Sequence, residues 1–129
     1  MGKPFKLAIS LLIIAVSLGA DDIRKIAQVT NDIIYDSFSR KIYASVPSSA
    51  GLYGNSITVI DPFSGATGPS VYIGSEPNKL ALSHDGEYLY IGLDGAAAVR
   101  RFHIPTLTAG LQFTLGSDPY DGLFFVEDM

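Results

Sequence analysis

Residues 31–46 read NDIIYDSFSRKIYASV and residues 78–93 read NKLALSHDGEYLYIGL; the two align without a gap, 47 positions apart. Farther on, residues 57–77 (ITVIDPFSGATGPSVYIGSEP) align with residues 99–119 (VRRFHIPTLTAGLQFTLGSDP), now 42 positions apart. A chain that repeats itself at such a period is built from stacked units, because one unit cannot bury its own apolar faces. The change of offset puts a loop five residues longer in the first unit, around residues 47–55. After Pro119 a third copy begins at Tyr120, and the sequence ends at Met129.

Within each unit the segments read as strands. Leu111, Phe113 and Leu115 alternate with Gln112 and Thr114, and Leu89, Ile91 and Leu93 share one face with Tyr88 and Tyr90 opposite. Aromatic and β-branched residues dominate these runs. Turn signals separate them: Ser37-Phe38-Ser39, Asp61-Pro62, His84-Asp85-Gly86 and Ile104-Pro105. The pattern predicts strands near residues 32–36, 41–46, 56–61 and 69–74. A second set follows near 79–83, 87–92, 97–103 and 111–115, then a lone strand near 122–126. Residues 26–30 read as one more strand, one that could close a ring. Four strands in about 45 residues, repeated, is the pattern of a β-propeller blade. The fold class is therefore all-β: about two four-stranded antiparallel blades and the first strand of a third, in an incomplete ring.

Several pieces resemble the YVTN-type β-propeller repeats of exported bacterial and archaeal proteins: residues 57–61 (ITVID), residues 73–77 (IGSEP) and residues 80–90 (LALSHDGEYLY). The resemblance covers residues 31–129. It implies a propeller architecture, and it is compatible with binding proteins, surface proteins and some enzymes. Arg100-Arg101-Phe102-His103 departs from the apolar-then-Asp pattern of Val59-Ile60-Asp61, which predicts a twist or bulge there in the second copy.

The chain opens with Lys3 and Lys6, followed by fourteen residues without a charge from Leu7 to Ala20. A membrane span needs roughly twenty apolar residues. The run instead fits the apolar region of a secretory signal peptide. Cleavage is expected between Ser17 and Asp22, and the location secreted, periplasmic or cell-surface. The membrane enters only through that signal. The expected organisation is a signal peptide at 1–20, a linker or closing strand at 21–30, a blade at 31–77, a blade at 78–119 and the start of a third at 120–129.

A closed ring of four to eight blades needs on the order of 180 to 360 residues. The expectation is therefore an N-terminal piece of a longer protein, with the remaining blades of the same chain as partners. The alternative is a ring assembled from short chains.

Charge and chemistry narrow the function. The net charge is −4, and without the two leader lysines the balance is seven bases against thirteen acids. That excludes the basic face of a general nucleic-acid binder. Without Cys there is no thiolate nucleophile or Cys-based zinc site.

Ser83, His84 and Asp85 are adjacent, but a catalytic triad needs spatial convergence, and Asp-Gly marks a hairpin turn. His84 and His103 lack zinc-ligand spacing. Asp94, Asp118 and Asp121 do not form a calcium ladder. Glu76 and Asp118 precede prolines in equivalent loops, where extended geometry is expected. Tyr35, Tyr43, Tyr72, Tyr88 and Tyr90 fall within the strands and are expected to pack in the core or between blades.

No catalytic, metal or cofactor set is read, and no cofactor is implied. Loops carry function more often than strands. The longer loop makes Ser48, Ser49, Tyr53 and Asn55 the candidate contact residues for an unidentified protein or small ligand outside the cytoplasm. The function read is a non-catalytic binding or scaffold module. The alternative is the N-terminal part of a propeller enzyme, similar to lactone hydrolases or quinone-dependent dehydrogenases, whose active site needs further blades.

Overall fold

The computed structural model describes Gly2 and residues 23–127. The expected signal peptide, Gly2 apart, and its expected cleavage site lie outside the described residues. The first sheet consists of β1 (Asp32–Asp36), β2 (Lys41–Val46), β3 (Ser56–Ile60) and β4 (Thr67–Tyr72), in that spatial order and antiparallel throughout. The second sheet repeats this with β5 (Pro77–Leu82), β6 (Tyr88–Leu93), β7 (Ala98–His103) and β8 (Thr108–Thr114). A short pair, β9 (Ser117–Asp118) and β10 (Gly122–Leu123), follows.

The anticipated strand at 122–126 shrinks to these two residues. Asp118 accepts N–H bonds from Tyr120 (2.8 Å) and Asp121 (3.1 Å), folding the chain tightly back. Residues 26–30 form no strand. They are held by single bonds: Gln28 N–H to the Ile26 carbonyl, and the Thr30 hydroxyl to the Ser45 carbonyl, the latter at 2.8 Å.

The core lies between the two sheets. Ile34, Tyr43, Ile57, Val59 and Ile73 from the first meet Leu80, Leu89, Ile91, Leu93, Phe102 and Ile104 from the second. Period-two alternation explains the choice, since each strand sends every other side chain to that face. Side chains also tie the sheets across their edges. The Asn31 amide donates to the Pro77 carbonyl (2.9 Å), the Leu80 N–H to the Asp32 carboxylate (3.0 Å), and the Arg100 guanidinium to the Ile73 carbonyl (2.9 Å). Of the five strand tyrosines, Tyr43 is buried as expected. Tyr35 and Tyr72 stand largely in solvent, because their positions fall on the outward side of the first sheet.

The bulge expected in the second sheet is present, and the first sheet carries one at the matching position. Registers shift between Thr58 and Ile60, and again between Arg100 and Phe102. At each, the outer strand carries an extra residue beside a glycine. A Cβ on Gly68 would lie 3.2 Å from the Val59 carbonyl oxygen, and one on Gly110 would lie 3.2 Å from that of Arg101. The cause is thus the glycine shared by both copies, not the arginines.

Candidate functional site

The connection from β2 to β3 spans residues 47–55, against residues 94–97 for its counterpart between β6 and β7. A 3-10 segment at Ser48–Tyr53 is interrupted at Gly51 (φ 80°, ψ −123°). The loop is stapled by Ala50 N–H to the Pro47 carbonyl (3.1 Å), Gly54 N–H to the Gly51 carbonyl (2.9 Å) and the Ser56 hydroxyl to the Tyr53 carbonyl (2.5 Å). At Gly54 a Cβ would come within 2.8 Å of the Pro47 carbonyl oxygen, so the close turn requires glycine there.

This frame leaves Ser48 and Ser49 exposed, with Leu52 88% and Tyr53 63% exposed. Asn55 differs. It is half-buried in a left-handed conformation (φ 57°), its backbone carbonyl accepting from Ile73 and its side-chain oxygen from Glu76 N–H at 2.9 Å. Its side-chain oxygen therefore serves the next connection. Glu76 is itself left-handed (φ 51°), not extended as its place before Pro77 suggested. The Asn55 side chain and Asp94 N–H grip it from two sides.

Of the four candidates, Tyr53 lines a hollow of about 390 Å³, which it shares with Gln28, Thr58, Thr67, Gly68, Pro69 and Ser70. Thr58 and Ser70 join hydroxyls at 2.7 Å in its wall. Ser48 and Ser49 are not in this wall. The available signal was the pair of hydroxyl residues on neighbouring apolar strands; Gln28 gave none, since it lies in a segment without ladder periodicity.

A second hollow, of about 540 Å³, opens between the two sheets at the opposite end. Phe38, Val59, Pro69, Ile104, Pro105 and Leu107 form its apolar walls, and Asp36, Ser39, Lys41 and Tyr43 its polar part. Asp36 is buried and accepts N–H bonds from Phe38 and Ser39, each at 3.0 Å. Burial pushes the Tyr43 phenol up, so it remains a neutral hydroxyl facing the Ser39 hydroxyl at 3.2 Å. Lys41 binds Asp61 at 2.6 Å and, with the Ser64 and Phe63 N–H groups, holds that carboxyl well below the usual range. The arrangement can seat an apolar body with one hydrogen-bonding group. Its walls come from both sheets, which is why neighbouring positions in sequence do not reveal it.

Elsewhere, Ser83 and Asp85 do meet, hydroxyl to carboxylate at 2.5 Å, but they close the hairpin with Tyr88 and Glu87 N–H groups. The Ser83 hydroxyl, more than the Glu87 N–H, lowers the Asp85 carboxyl. Among the described residues no group of three or more His, Asp or Glu side chains is placed to hold a metal ion.

No family model matches the chain, and no curated protein matches it. Two solved structures are similar to it. Hydrazine synthase from Kuenenia stuttgartiensis aligns with a TM-score of 0.58 at 16% identity, over 77% of this chain and 26% of that one. U3-55K aligns with a TM-score of 0.56 at 17% identity, over 77% of this chain and 29% of that one. The fold is a β-propeller. The two large sheets are its blades, and β9–β10 is a small third sheet; the chain spans less than a third of either structure it resembles. At such identities the likeness shows the fold alone.

Proposed function

We propose that the chain is an exported propeller segment of the YVTN-repeat type, acting as a non-catalytic binding or scaffold module outside the cytoplasm. One observation carries this reading. The 47–55 connection makes the same crossing as the four residues 94–97, yet spends five more to hold Leu52 and Tyr53 in solvent. Exposed apolar side chains on a stapled loop beside a polar hollow suit recognition better than folding.

The test is to screen the purified chain against a glycan array and a displayed peptide library. The same screen is run on a variant whose 47–55 loop is replaced by residues 94–97, and on Tyr53→Ala. The expected result is a ligand that wild type retains and that Tyr53→Ala weakens by about tenfold or more, with melting unchanged. A ligand held equally by the loop-shortened variant, or turnover of a lactone or of a quinone-coupled alcohol, overturns the reading. Export is checked separately, by sequencing the N-terminus of protein secreted by a bacterial host. Cleavage between Ser17 and Asp22 is expected, and an intact N-terminus overturns it.

A further inference from the structure

The hollow of about 540 Å³ between the two blades lies at the strand ends away from the 47–55 loop. The first blade gives it Phe38, Ser39, Val59 and Pro69, and the second gives it Ile104, Pro105 and Leu107. In the other copy of the repeat the first four positions hold Asp85, Gly86, Arg101 and Leu111, and the last three hold Pro62, Phe63 and Gly65. Features that both copies keep are those the blade needs. The walls of this hollow belong to one junction only, so blade architecture does not account for them.

Two of these side chains are placed at a cost. Leu107 is left-handed (φ 51°) where the first blade has Gly65 (φ 73°). A side chain there carries steric strain that glycine escapes. Phe38 stands 70% exposed to water, yet its ring lies against Gly86 of the second blade, where a Cβ would come within 2.5 Å of it. A strained leucine and an exposed aromatic ring thus line one cavity together with two rigid proline rings. Strain of this kind gathers at ligand clamps, and small-molecule sites are preformed, concave and mostly apolar.

The polar part sets the charge of the guest. Asp36 is buried, and its carboxylate accepts the Phe38 and Ser39 N–H groups. Lys41 is held by Asp61 at 2.6 Å. Both charges are answered within the chain, so a charged guest would give up its water without gaining a counter-ion. Ser39 and Tyr43 face each other through their hydroxyls at 3.2 Å. That contact uses one of the two hydroxyl hydrogens and leaves the other for an incoming oxygen.

We infer that this hollow is a second binding site, separate from the 47–55 loop, for a small uncharged molecule of one or two rings that carries a single hydroxyl. The rings lie among Phe38, the prolines and Leu107, and the hydroxyl bonds to that of Ser39.

The experiment is equilibrium dialysis of the purified chain at neutral pH against 2-naphthol, 2-naphthoate and 2-naphthylmethylammonium. 2-Naphthol should bind one to one, and the anion and the cation about tenfold more weakly or worse. Leu107→Gly removes a wall and installs the residue that the first blade has at this turn, so folding should survive. It should weaken 2-naphthol about tenfold. Phe38→Ala, at an exposed position, is the second wall variant and carries the same expectation. Ser39→Ala should weaken 2-naphthol by about threefold to tenfold, the loss of one hydrogen bond. Thermal melts verify that each variant is folded. No binding of 2-naphthol by wild type overturns the inference. So do equal affinities for the three naphthyl compounds, 2-naphthol binding that both wall variants retain in full, and unchanged affinity in Ser39→Ala.

Discussion

At the turn end of the first blade, Lys41 on β2 reaches Asp61 at 2.6 Å. The equivalent residues of the second blade are Tyr88 and His103, whose rings lie 5.4 Å apart. Asp61 also caps its turn through the Phe63 and Ser64 N–H groups, whereas His103 Nδ1 meets the Thr106 hydroxyl at 2.6 Å. An ion pair and an aromatic pair thus occupy one structural position. Several backbone turns stay constant. Asn55 and Ala97 are both left-handed, as are Gly65 and Leu107, and Gly74 and Gly116. The blade is specified by where the chain turns, bulges and alternates, and side-chain chemistry at its rim is free to differ.

The blades also differ in what covers them. Phe102 lies fully buried between the sheets, while its counterpart Ile60 lies on the outward side of the first blade. There Arg24 and Ile26 pass beside Gly65, leaving a hollow of about 400 Å³ next to Ile42. Phe102→Ala should cost about 3–5 kcal/mol, and Ile60→Ala should fall near 2 kcal/mol, the low end for its type, because the segment at Arg24 and Ile26 can settle into the gap. Urea titration of both variants measures the difference. Equal losses would mean that the outward face is as firmly packed as the core.

The shared bulge offers a second comparison. Gly68→Ala and Gly110→Ala each put a methyl 3.2 Å from a carbonyl oxygen, and each should cost about 1–2 kcal/mol by the same crowding. Thermal melts that differ strongly between the two would separate the blades where the backbone makes them equal. This pair also shows what could be read in advance. Strand positions and the extra loop residues follow from alternation and from the offsets of 47 and 42, because local periodicity and turn residues dictate them. The bulge of the first blade has no such signal, because a carbonyl's approach to a glycine is a contact between strands that one strand's sequence does not display. The same limit hid the hollow between the blades and the service Asn55 gives to Glu76. Tyr53, Ser48 and Ser49 were legible as exposed because the loop outgrows its counterpart.

A smaller effect separates the rims by charge. Asp61 has its carboxyl pKa lowered in the folded chain, by Lys41 first and then by the Ser64 and Phe63 N–H groups. Its contribution to stability is therefore present above the ordinary carboxyl value of 3.8 and lost as pH falls below it. Asp61→Asn keeps an oxygen for the turn but removes the charge. It should flatten the acid limb of the stability profile and reduce its sensitivity to salt. His103→Phe retains a ring for Tyr88 and should leave that limb unchanged, with Asp85 supplying acid dependence of the same sign in the second blade. A parallel flattening in His103→Phe would show that the two rims are electrostatically coupled.

The smallest contrast sits at the paired residues before proline. Glu76 is held left-handed at φ 51°, while its counterpart Asp118 lies in β9 and accepts two N–H bonds through its side chain. A left-handed non-glycine residue carries about 1–2 kcal/mol of steric cost, and glycine carries none but loses more entropy on folding. Glu76→Gly should therefore gain a few tenths to about 1 kcal/mol. Asp118→Gly should lose stability instead, because it gains no relief and forfeits the acceptor for the Tyr120 and Asp121 N–H groups. Opposite signs in paired thermal melts would place the strain in the crossing between the blades. Two losses would show that the Asn55 and Asp94 contacts hold Glu76 without residual strain, and that the two connections differ in shape but not in stored energy.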